Sequence, residues 1–506
     1  MLVIKELVIK SSQQNLVLVD RLSLSIKEND KYAIIGTEGS GKTTLLKVIK
    51  GEYPNHITVS GSIIRPSIIS YLDQNVDQNW GTYTVESYFK TNLKHPLYEY
   101  YENIYKLCNQ FGFNYQSIEK RQLSTFSGGE KVKIGLIKAL MMSPDLLLLD
   151  EPSNDLDFET LSFLESFLKE TTIPVIFVSH DQRLLENVTT GIIHIQHTNK
   201  KTKANTFFMR LNYKEYKEKY QIKFESDLMI AKKQRSDYQK KLEKFRQIYQ
   251  KVEHSQNQAV RDPVLGRLLK KKIKNLKSQE KRYVKEKEQF IEIPEKEEPM
   301  NLFFDNQTSM HKKKEVLDIH IKNFPLKNNQ IITSIDLSIK GNDKIAIIGK
   351  NGIGKTTFIK HLVKEALERK FKVGYLSQDY KDILDESKDV VSYLMDSQDK
   401  YTEPKIRQIL GSLGLKKEEM LYNIKQLSEG TKLKVILLKL VSQNLDILIL
   451  DEPTRNISPL NQDELYELFL SFNGAVIAVT HDRSFIEAGF DDVYELTLEG
   501  LFKRTV

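Results

Sequence analysis

The chain carries the same eight-residue pattern twice, and this repetition limits the possible folds more than any other feature. Both copies read G-x-x-x-x-G-K-T, at residues 36–43 and 349–356. Each copy follows a β-rich run and precedes an apolar segment with helical spacing. Glycines at these positions let backbone N–H groups surround phosphate oxygens, while the lysine and threonine serve the terminal phosphates and Mg²⁺. The repeated pattern therefore predicts two nucleoside triphosphate sites.

The first copy and the residue after it form one predicted set of nucleotide-binding residues: Gly36, Thr37, Glu38, Gly39, Ser40, Gly41, Lys42, Thr43 and Thr44. The second copy forms the matching set: Gly349, Lys350, Asn351, Gly352, Ile353, Gly354, Lys355, Thr356 and Thr357. A single match to such a pattern can arise by chance, whereas two matches in equivalent contexts are specific.

Four further motifs follow each loop in the same order. In the first half of the chain they are Gln74, Ser127-Gly128-Gly129, Asp150-Glu151-Pro152 and His180-Asp181. In the second half they are Gln378, Ser428-Glu429-Gly430, Asp451-Glu452-Pro453 and His481-Asp482. The last three motifs lie 301 residues apart, whereas the two loop lysines lie 313 residues apart. The chain is therefore an internal duplication with a small length difference near its first strands.

These motifs, in this order, resemble the ATP-binding cassette (ABC) ATPases over residues 1 to about 205 and 315 to 506. The resemblance implies an α/β fold with two P-loop ABC ATPase cassettes that bind ATP and Mg²⁺. It assigns the Mg²⁺ sites to Thr43, Gln74, Asp150, Thr356, Gln378 and Asp451. It assigns catalysis to Glu151 and Glu452, which polarise the attacking water, and to His180 and His481, which contact the γ-phosphate. Because both glutamates are present, we expect an ATP hydrolase.

In the family that the chain resembles, each ATP lies between the loop of one cassette and the serine–glycine motif of the other, where a helix N-terminus adds positive potential. The resemblance therefore adds five residues to the sites: Ser127, Gly128, Gly129, Ser428 and Gly430. Glu429 stands where the first cassette has a glycine, and we expect it to bring a carboxylate toward another anion. We hypothesise that the site built on Lys42 turns over more slowly. The alternative is that surrounding contacts absorb the change.

Composition limits the other classes of function. The chain has 506 residues, enough for three domains, and a single cysteine, Cys108, which excludes an intrachain disulfide and a zinc–cysteine cluster. It has no run of 18 apolar residues and no signal-peptide pattern at its N-terminus. We therefore expect a cytoplasmic protein with no membrane domain fused to its cassettes.

The segment between the cassettes, 206–314, has a different composition from theirs. Residues 231–290 hold 19 Lys and Arg against 7 Asp and Glu, whereas the whole chain has a net charge of +8. Apolar and aromatic residues recur at three- or four-residue steps on both sides of 255–266, which predicts two long antiparallel, coiled-coil-like helices with a tip there. The charge and the interleaved aromatics favour RNA contact, although most charge runs are solvated faces of a spacer.

The predicted tip residues are Val260, Pro263, Val264 and Leu265. The predicted RNA contacts are Lys270, Lys271, Lys272, Lys274 and Lys277.

Twin cassettes joined by a basic helical linker resemble the ABC-F group of translation-associated ATPases. Gln74 and Ser127 lie 53 residues apart, and Gln378 and Ser428 lie 50 apart. These spacings leave no room for the large arm of many housekeeping members, and in this the chain resembles the antibiotic-resistance branch.

That resemblance implies a monomer that pairs its own cassettes and enters the ribosomal exit (E) site when ATP closes it. Its linker would extend toward 23S rRNA, the P-site tRNA and the peptidyl-transferase centre, and protect translation from lincosamide, pleuromutilin or streptogramin A antibiotics. Hydrolysis would release it. The alternatives are a housekeeping factor acting on stalled ribosomes and, from another class, the ATPase subunit of an ABC transporter.

Overall fold

The computed structural model describes residues 1–12, 16–73, 81–91, 93, 95–154, 156–198, 203–258, 263–294, 300, 302–304, 315–326, 330–396, 401–455 and 457–504. The chain forms two compact units, one made of Met1–Tyr213 with Glu297–Val506 and the other of Lys214–Lys296. The first unit contains both cassettes, and the second contains the linker helices.

The first cassette alternates strands and helices along the chain. Its strands are β1 (Leu2–Ser11), β2 (Leu16–Ile26), β3 (Lys31–Ile35), β4 (Ile57–Ile64), β5 (Ile69–Leu72), β6 (Leu146–Asp150), β7 (Val175–Val178), β8 (Gly191–Thr198) and β9 (Lys203–Met209). Its helices are α1 (Lys42–Lys50), α2 (Val85–Lys90), α3 (Tyr101–Gln110), α4 (Tyr115–Ile118), α5 (Gly128–Leu140), α6 (Phe158–Glu170) and α7 (Gln182–Val188). Two long helices follow, α8 (Tyr213–Gln258) and α9 (Pro263–Glu288).

The second cassette repeats this alternation. Its strands are β10 (Glu315–Pro325), β11 (Ile331–Lys340), β12 (Lys344–Ile348), β13 (Val373–Leu376), β14 (Ile447–Asp451), β15 (Ala475–Val479), β16 (Asp492–Leu496) and β17 (Leu501–Arg504). Its helices are α10 (Lys355–Glu368), α11 (Val390–Met395), α12 (Glu403–Ser412), α13 (Glu429–Ser442), α14 (Gln462–Leu470) and α15 (Arg483–Gly489).

Each cassette is built on a six-stranded sheet. The strand order is β5-β6-β7-β3-β8-β9 in the first and β13-β14-β15-β12-β16-β17 in the second. The edge strands β9 and β17 run antiparallel to their neighbours, and the inner strands pair in parallel. Every residue of β6 and of β14 is buried, the pattern of a parallel sheet covered on both faces. The predicted α/β fold, with two cassettes joined by long helices, is confirmed.

The length difference between the two halves lies in the smaller antiparallel sheets. In the first cassette this sheet has the order β2-β1-β4, and in the second it consists of β10 and β11. Within the described residues of the second cassette no strand corresponds to β4, because α10 ends at Glu368 and β13 already begins at Val373. The extra strand accounts for most of the difference between the 313- and 301-residue spacings.

The linker helices α8 and α9 are 46 and 26 residues long. Lys241 on α8 forms an ion pair with Glu286 on α9, and the rings of Phe245 and Tyr283 lie 6.0 Å apart. Because the paired residues run in opposite directions along the two helices, the pair is antiparallel. Phe245, Val252 and Leu276 form its small apolar core. In the described part of the chain, no helix is long and apolar enough to cross a lipid bilayer.

We expect Phe245→Ala to loosen the linker alone. Phe245 is buried against Tyr249 and Tyr283, and truncating a buried phenylalanine costs about 3–5 kcal/mol. Hydrogen–deuterium exchange should therefore rise by roughly a hundredfold to a few thousandfold in 214–294 and stay unchanged in the cassettes. The control is Ile248→Ala on the same helix, where the side chain is 46 % exposed. Equal exchange in the two variants would contradict this packing.

Candidate active site

The two glycine-rich loops have the same backbone shape. Gly36, Gly39 and Gly41 have φ angles of +148°, +73° and +101°, in the region that a side chain rarely permits. A Cβ atom on Gly36 would also lie 2.4 Å from the Ile195 carbonyl oxygen. In the second loop the corresponding glycines at 349, 352 and 354 have φ angles of +153°, +79° and +101°. The glycines that the sequence marks are therefore required by the backbone itself.

The two loop lysines are held against the carbonyl groups of their own loops. Lys42 Nζ donates to the carbonyl oxygens of Gly36 at 2.9 Å and Thr37 at 3.1 Å. Lys355 Nζ donates to Gly349 at 2.7 Å and to Lys350 at 3.1 Å. Both side chains are buried, and burial lowers the pKa of Lys355. Each lysine thus lies within the curve of backbone that the glycines create.

Two buried aspartates end the strands beside these loops. Asp150 and Asp451 are each 1 % exposed, and burial raises the pKa of both. Oδ2 of Asp150 accepts a hydrogen bond from the Tyr71 hydroxyl at 3.0 Å. Among the described residues, Oδ1 of Asp150 and both carboxylate oxygens of Asp451 have no hydrogen-bond partner of normal geometry. Buried carboxylate oxygens without donors fit a hard divalent cation such as Mg²⁺.

Of the other predicted Mg²⁺ residues, the structure describes Thr43, Thr356 and Gln378. The hydroxyls of Thr43 and Thr356 lie close to the Asp150 and Asp451 carboxylates, respectively. They partly offset the rise that burial causes in the pKa of each carboxyl. Gln378 lines the cavity that contains Asp451, whereas Gln74 lies outside the described residues. The described residues contain no cluster of three His, Cys, Asp or Glu side chains able to hold a metal. A carboxylate with a hydroxyl beside it is a ligand set that fits Mg²⁺, since this ion takes few protein ligands and completes its shell with phosphate and water.

Glu151 and Glu452 follow these aspartates in an unusual backbone conformation. Both have a φ of +49°, which is uncommon for a residue with a side chain and is found at functional sites. Their N–H groups donate to the carbonyl oxygens of Val178 at 3.1 Å and Val479 at 2.9 Å, on the neighbouring strands. The same strained turn therefore aims a carboxylate in each cassette, and the sequence does not reveal it.

Each glutamate lies near the histidine of its own cassette. Nε2 of His180 is 3.5 Å from Oε1 of Glu151, and Nε2 of His481 is 3.8 Å from Oε1 of Glu452. Within the described residues neither ring nitrogen of His481 has a hydrogen-bond partner, and burial lowers the pKa of His481 to about 3. The four predicted catalytic residues therefore form two pairs.

The two glutamates differ in their electrostatic surroundings. Burial by itself would raise the pKa of Glu151, but His180, Lys42 and the amide of Asn154 together lower it to about 2. Burial raises the pKa of Glu452, although the nearby Lys355 ammonium opposes the shift. Asn154 corresponds to an arginine, Arg455, in the second cassette. The paired sites are thus chemically unequal.

A cavity of about 630 Å³ lies between the second loop and the first cassette. Lys355, Asp451 and Glu452 line it from one cassette, and Gly128 with Lys131 from the start of α5 in the other. Ser127 caps α5 by accepting from the Glu130 N–H group, while the Glu130 carboxylate accepts from the Ser127 N–H group at 2.8 Å. Exposed Lys350 also lies 3.1 Å from Glu159 on α6. The structure therefore brings the second loop and the first serine–glycine motif to one cavity.

The first loop faces the second cassette through direct hydrogen bonds. Oε2 of Glu38 accepts a hydrogen bond from the Gly430 N–H group at 3.1 Å, at the start of α13. Nδ1 of His180 lies 2.8 Å from the Ile457 carbonyl oxygen, and Gln462 Nε2 donates to the His180 carbonyl at 2.9 Å. The side chain of Ser428 accepts from the Thr431 N–H group at 3.3 Å. The first loop and the second serine–glycine motif thus also meet.

The expectation that Glu429 directs its charge at another anion is corrected by the structure. Oε1 of Glu429 lies 3.0 Å from Nζ of Lys432, which also lies 3.1 Å from Glu386. Lys432 is buried, so the Glu429 carboxylate is paired with an ammonium group of its own cassette, which it shares with Glu386. The carboxylate that reaches across at this site belongs to Glu38.

Sequence reasoning missed several residues of these sites. Tyr71 carried a detectable signal, since it precedes the predicted Gln74 by three residues in a short strand. Gln182 directly follows the His180-Asp181 motif, and its side-chain amide donates to the Pro459 carbonyl at 2.8 Å. Ile457 contributes only a backbone carbonyl, so no side-chain pattern could identify it.

The linker predictions fall partly outside the described residues. Val260 is not described, and Pro263, Val264 and Leu265 begin α9 with side chains that are not described. The predicted RNA-contact residues are all exposed on α9: Lys270, Lys271, Lys272, Lys274 and Lys277. Their role is unchanged as a prediction.

Comparison with known proteins agrees with the duplicated architecture. The family model described as ABC transporter matches residues 19–154 and 332–455. The ATP-binding protein Uup of Buchnera aphidicola (Schizaphis graminum) is 31 % identical over 485 residues, which cover 92 % of this chain and 76 % of that protein. ABC transporter F family member 5 of Arabidopsis thaliana is 25 % identical over 544 residues, covering 96 % and 74 %.

A solved structure shares the fold along almost the whole chain. The archaeal ribosome recycling factor aABCE1, solved with the archaeal ribosomal stalk protein aP1, aligns with a TM-score of 0.61. The alignment covers 98 % of this chain and 89 % of that one at 17 % sequence identity. At this sequence identity the match shows that the two cassettes have the same fold, and no more.

We expect Tyr71→Phe to destabilise the first cassette, because it removes the donor to the buried Asp150 carboxylate. The loss in free energy of unfolding should be about 1–3 kcal/mol. Urea denaturation measures it. Tyr375→Phe is the matched control, since the Tyr375 hydroxyl has no hydrogen-bond partner of normal geometry among the described residues. Equal destabilisation by the two substitutions would contradict the role of this hydrogen bond.

Proposed function

The chain belongs to the ABC transporter family of ATP-binding proteins, and we propose that it is an ABC-F ATPase that works on the ribosome. Its relatives at 25–31 % identity include F family members, and they align over more than nine-tenths of the chain, linker included. The observation that carries the proposal is the linker: exposed lysines on α9 of a basic helix pair, in a chain with two ATPase cassettes. Exposed, closely spaced lysines suit contact with RNA phosphates.

The chain hydrolyses ATP, as its cassettes imply. We assign the binding of the triphosphate to the loop backbone and to Lys42 and Lys355, which the loop carbonyls hold in place. Mg²⁺, when bound, neutralises charge on the β- and γ-phosphates; Asp150 and Asp451, with the threonine and glutamine residues beside them, would hold it. The unpartnered carboxylate oxygens described above fit this role.

We assign the activation of the attacking water to Glu151 and Glu452. The +49° backbone turn fixes each carboxylate in position, and a carboxylate so placed can accept a hydrogen bond from water. Each histidine lies within 4 Å of its glutamate, and we assign to it the contact with the terminal phosphate. The cavity between Lys355 and Gly128 supports a site made from both cassettes, in which helix N-termini stabilise the phosphate charge.

The finer proposal is antibiotic protection. Helix α8, with 46 residues, extends about 70 Å, long enough to carry the tip 255–266 from an exit-site position toward the P-site tRNA and the peptidyl-transferase centre. Contact of the tip with 23S rRNA there would displace lincosamide, pleuromutilin or streptogramin A drugs. Hydrolysis would then release the protein. Such work would place it in the cytoplasm.

The deciding experiment uses the Glu151→Gln, Glu452→Gln double variant, which should bind ATP but lose at least 90 % of ATP hydrolysis, because amides cannot act as bases. We expect it to pellet with 70S ribosomes only when ATP is present. The control is Lys42→Ala, Lys355→Ala, which should bind neither ATP nor ribosomes. Rescue of drug-inhibited translation by the wild-type protein would support protection. Pelleting without rescue would favour a housekeeping factor, and no pelleting would favour a transporter subunit.

A second experiment tests the basic helix face through the salt dependence of ribosome binding. The variant replaces five exposed lysines of α9 by glutamine: Lys270, Lys271, Lys272, Lys274 and Lys277. If all five lysines contact phosphates, the negative slope of the logarithm of the ribosome-binding constant against the logarithm of the salt concentration becomes shallower by about 4 or 5. The charge-matched control replaces five exposed lysines of α8: Lys232, Lys233, Lys240, Lys244 and Lys251. Equal slopes for the two variants would contradict a specific role for α9.

A further inference from the structure

The start of α13 already has a negatively charged partner, supplied by the first loop. Oε2 of Glu38 lies 3.1 Å from the Gly430 nitrogen, whose N–H group donates to it. Helix α13 is 14 residues long, and the first-turn N–H groups of such a helix carry partial positive charge that favours an anion. Glu38 thus contacts the second cassette with a carboxylate where a phosphate would be stabilised.

Other side chains near this helix start are engaged elsewhere. Ser428 accepts from the Thr431 N–H group, and Glu429 is paired with the buried Lys432. The carboxylate of Glu429 therefore does not compete for the Gly430 N–H group. The first turn of α13 is held by one capping serine and by the carboxylate from the opposite loop.

The other site differs at the equivalent position. Asn351 occupies the place in the second loop that Glu38 occupies in the first, three residues into each pattern. Its Oδ1 atom accepts a hydrogen bond from Lys355 Nζ at 3.5 Å, within its own loop. Asn351 and Gly128 both line the cavity of about 630 Å³. The second loop thus offers α5 an uncharged amide where the first loop offers α13 a carboxylate.

We propose that Glu38 is a positioning residue that makes the two sites differ in their affinity for ATP. Its carboxylate must leave the Gly430 N–H group before the terminal phosphate of an ATP on the first loop can bind there. The proposal rests on the two composite ATP sites of the proposed function. The Lys355 site, where an uncharged asparagine, Asn351, stands in place of the carboxylate, binds ATP first and more tightly. The Lys42 site binds ATP more weakly, and its filling requires the hydrogen bond between the cassettes to break.

A contact at the opposite edge of the same site strengthens this ranking. The imidazole of His180 is held by the Ile457 carbonyl at 2.8 Å, and its backbone carbonyl by the Gln462 amide at 2.9 Å. His481, its counterpart, has no hydrogen-bond partner for its ring among the described residues. Hydrogen bonds between the cassettes therefore hold the Lys42 site at its loop and at its histidine. At the Lys355 site the second loop reaches the first cassette through the exposed ion pair of Lys350 with Glu159 and borders the cavity.

The test measures ATP binding one loop at a time in the full-length chain. Lys355→Ala leaves the first loop as the binding site, and Lys42→Ala leaves the second. Equilibrium dialysis with labelled ATP and Mg²⁺ gives each Kd. In the Lys355→Ala background we expect Glu38→Asn to lower the Kd for ATP about tenfold. This factor corresponds to the free energy of the hydrogen bond between the Glu38 carboxylate and the Gly430 N–H group, which no longer competes with ATP. In the Lys42→Ala background we expect Asn351→Glu to weaken binding by a similar factor.

Glu38→Asp separates charge from reach. Its shorter carboxylate keeps the charge but cannot hold the same hydrogen bond, so its Kd should fall between those of the parent and Glu38→Asn. An unchanged or weaker Kd for Glu38→Asn would overturn the proposal. Unchanged binding after Asn351→Glu would do the same. Loss of ATP binding in both parent variants, Lys355→Ala and Lys42→Ala, would reject the composite ATP sites themselves. The Kd values for ATP do not depend on whether the protein binds ribosomes, so the two proposals fail separately.

Discussion

The parallel pairing of three buried strands in each cassette brings the candidate catalytic residues together. Strands β3, β6 and β7 run in the same direction and in register, so their carboxyl ends meet at one edge of the sheet. The lysine loop follows β3, the Asp-Glu pair ends β6, and the histidine follows β7. Because the inner residues of these strands are apolar, the polar side chains collect where the strands end. The same arrangement in the second sheet repeats the site.

Burial at that edge sets the electrostatics of the candidate site. The aspartates are almost completely enclosed, and burial raises the pKa of both. Such groups are costly unless paired, which explains why a hydroxyl, a lysine and a bound cation are useful partners for them. The strained +49° turn at each glutamate is a second cost, and the hydrogen bonds to β7 and β15 offset it. Stability is given up locally in order to position two carboxylates.

Small differences between the repeats make the two sites unequal. In the loops, the first cassette has Glu38 where the second has Asn351. After the strand that ends in aspartate, the first has Asn154, which bonds to Glu151, where the second has Arg455. The hypothesis of inequality came from Glu429, but Glu429 is paired with Lys432 in its own cassette, and the carboxylate that contacts the opposite cassette is that of Glu38. A substitution in a helix start can thus be compensated by its own helix, while a substitution in the facing loop changes the contact between cassettes.

The sequence by itself determined the duplication, the α/β cassettes and the basic helical linker, and it predicted which residues carry the chemistry. These properties depend on local patterns: apolar runs, glycine positions, helical spacing and the identity of charged residues. Only the tertiary structure decided that the first loop contacts Gly430, that Ile457 holds His180, and that Tyr71 supports Asp150. These contacts join residues up to 392 positions apart, and two of them use backbone groups that every residue possesses. The two contacts between cassettes depend on how the folded cassettes pack together, so no local side-chain pattern encodes them, whereas the Tyr71 contact depends on the pairing of strands within one cassette.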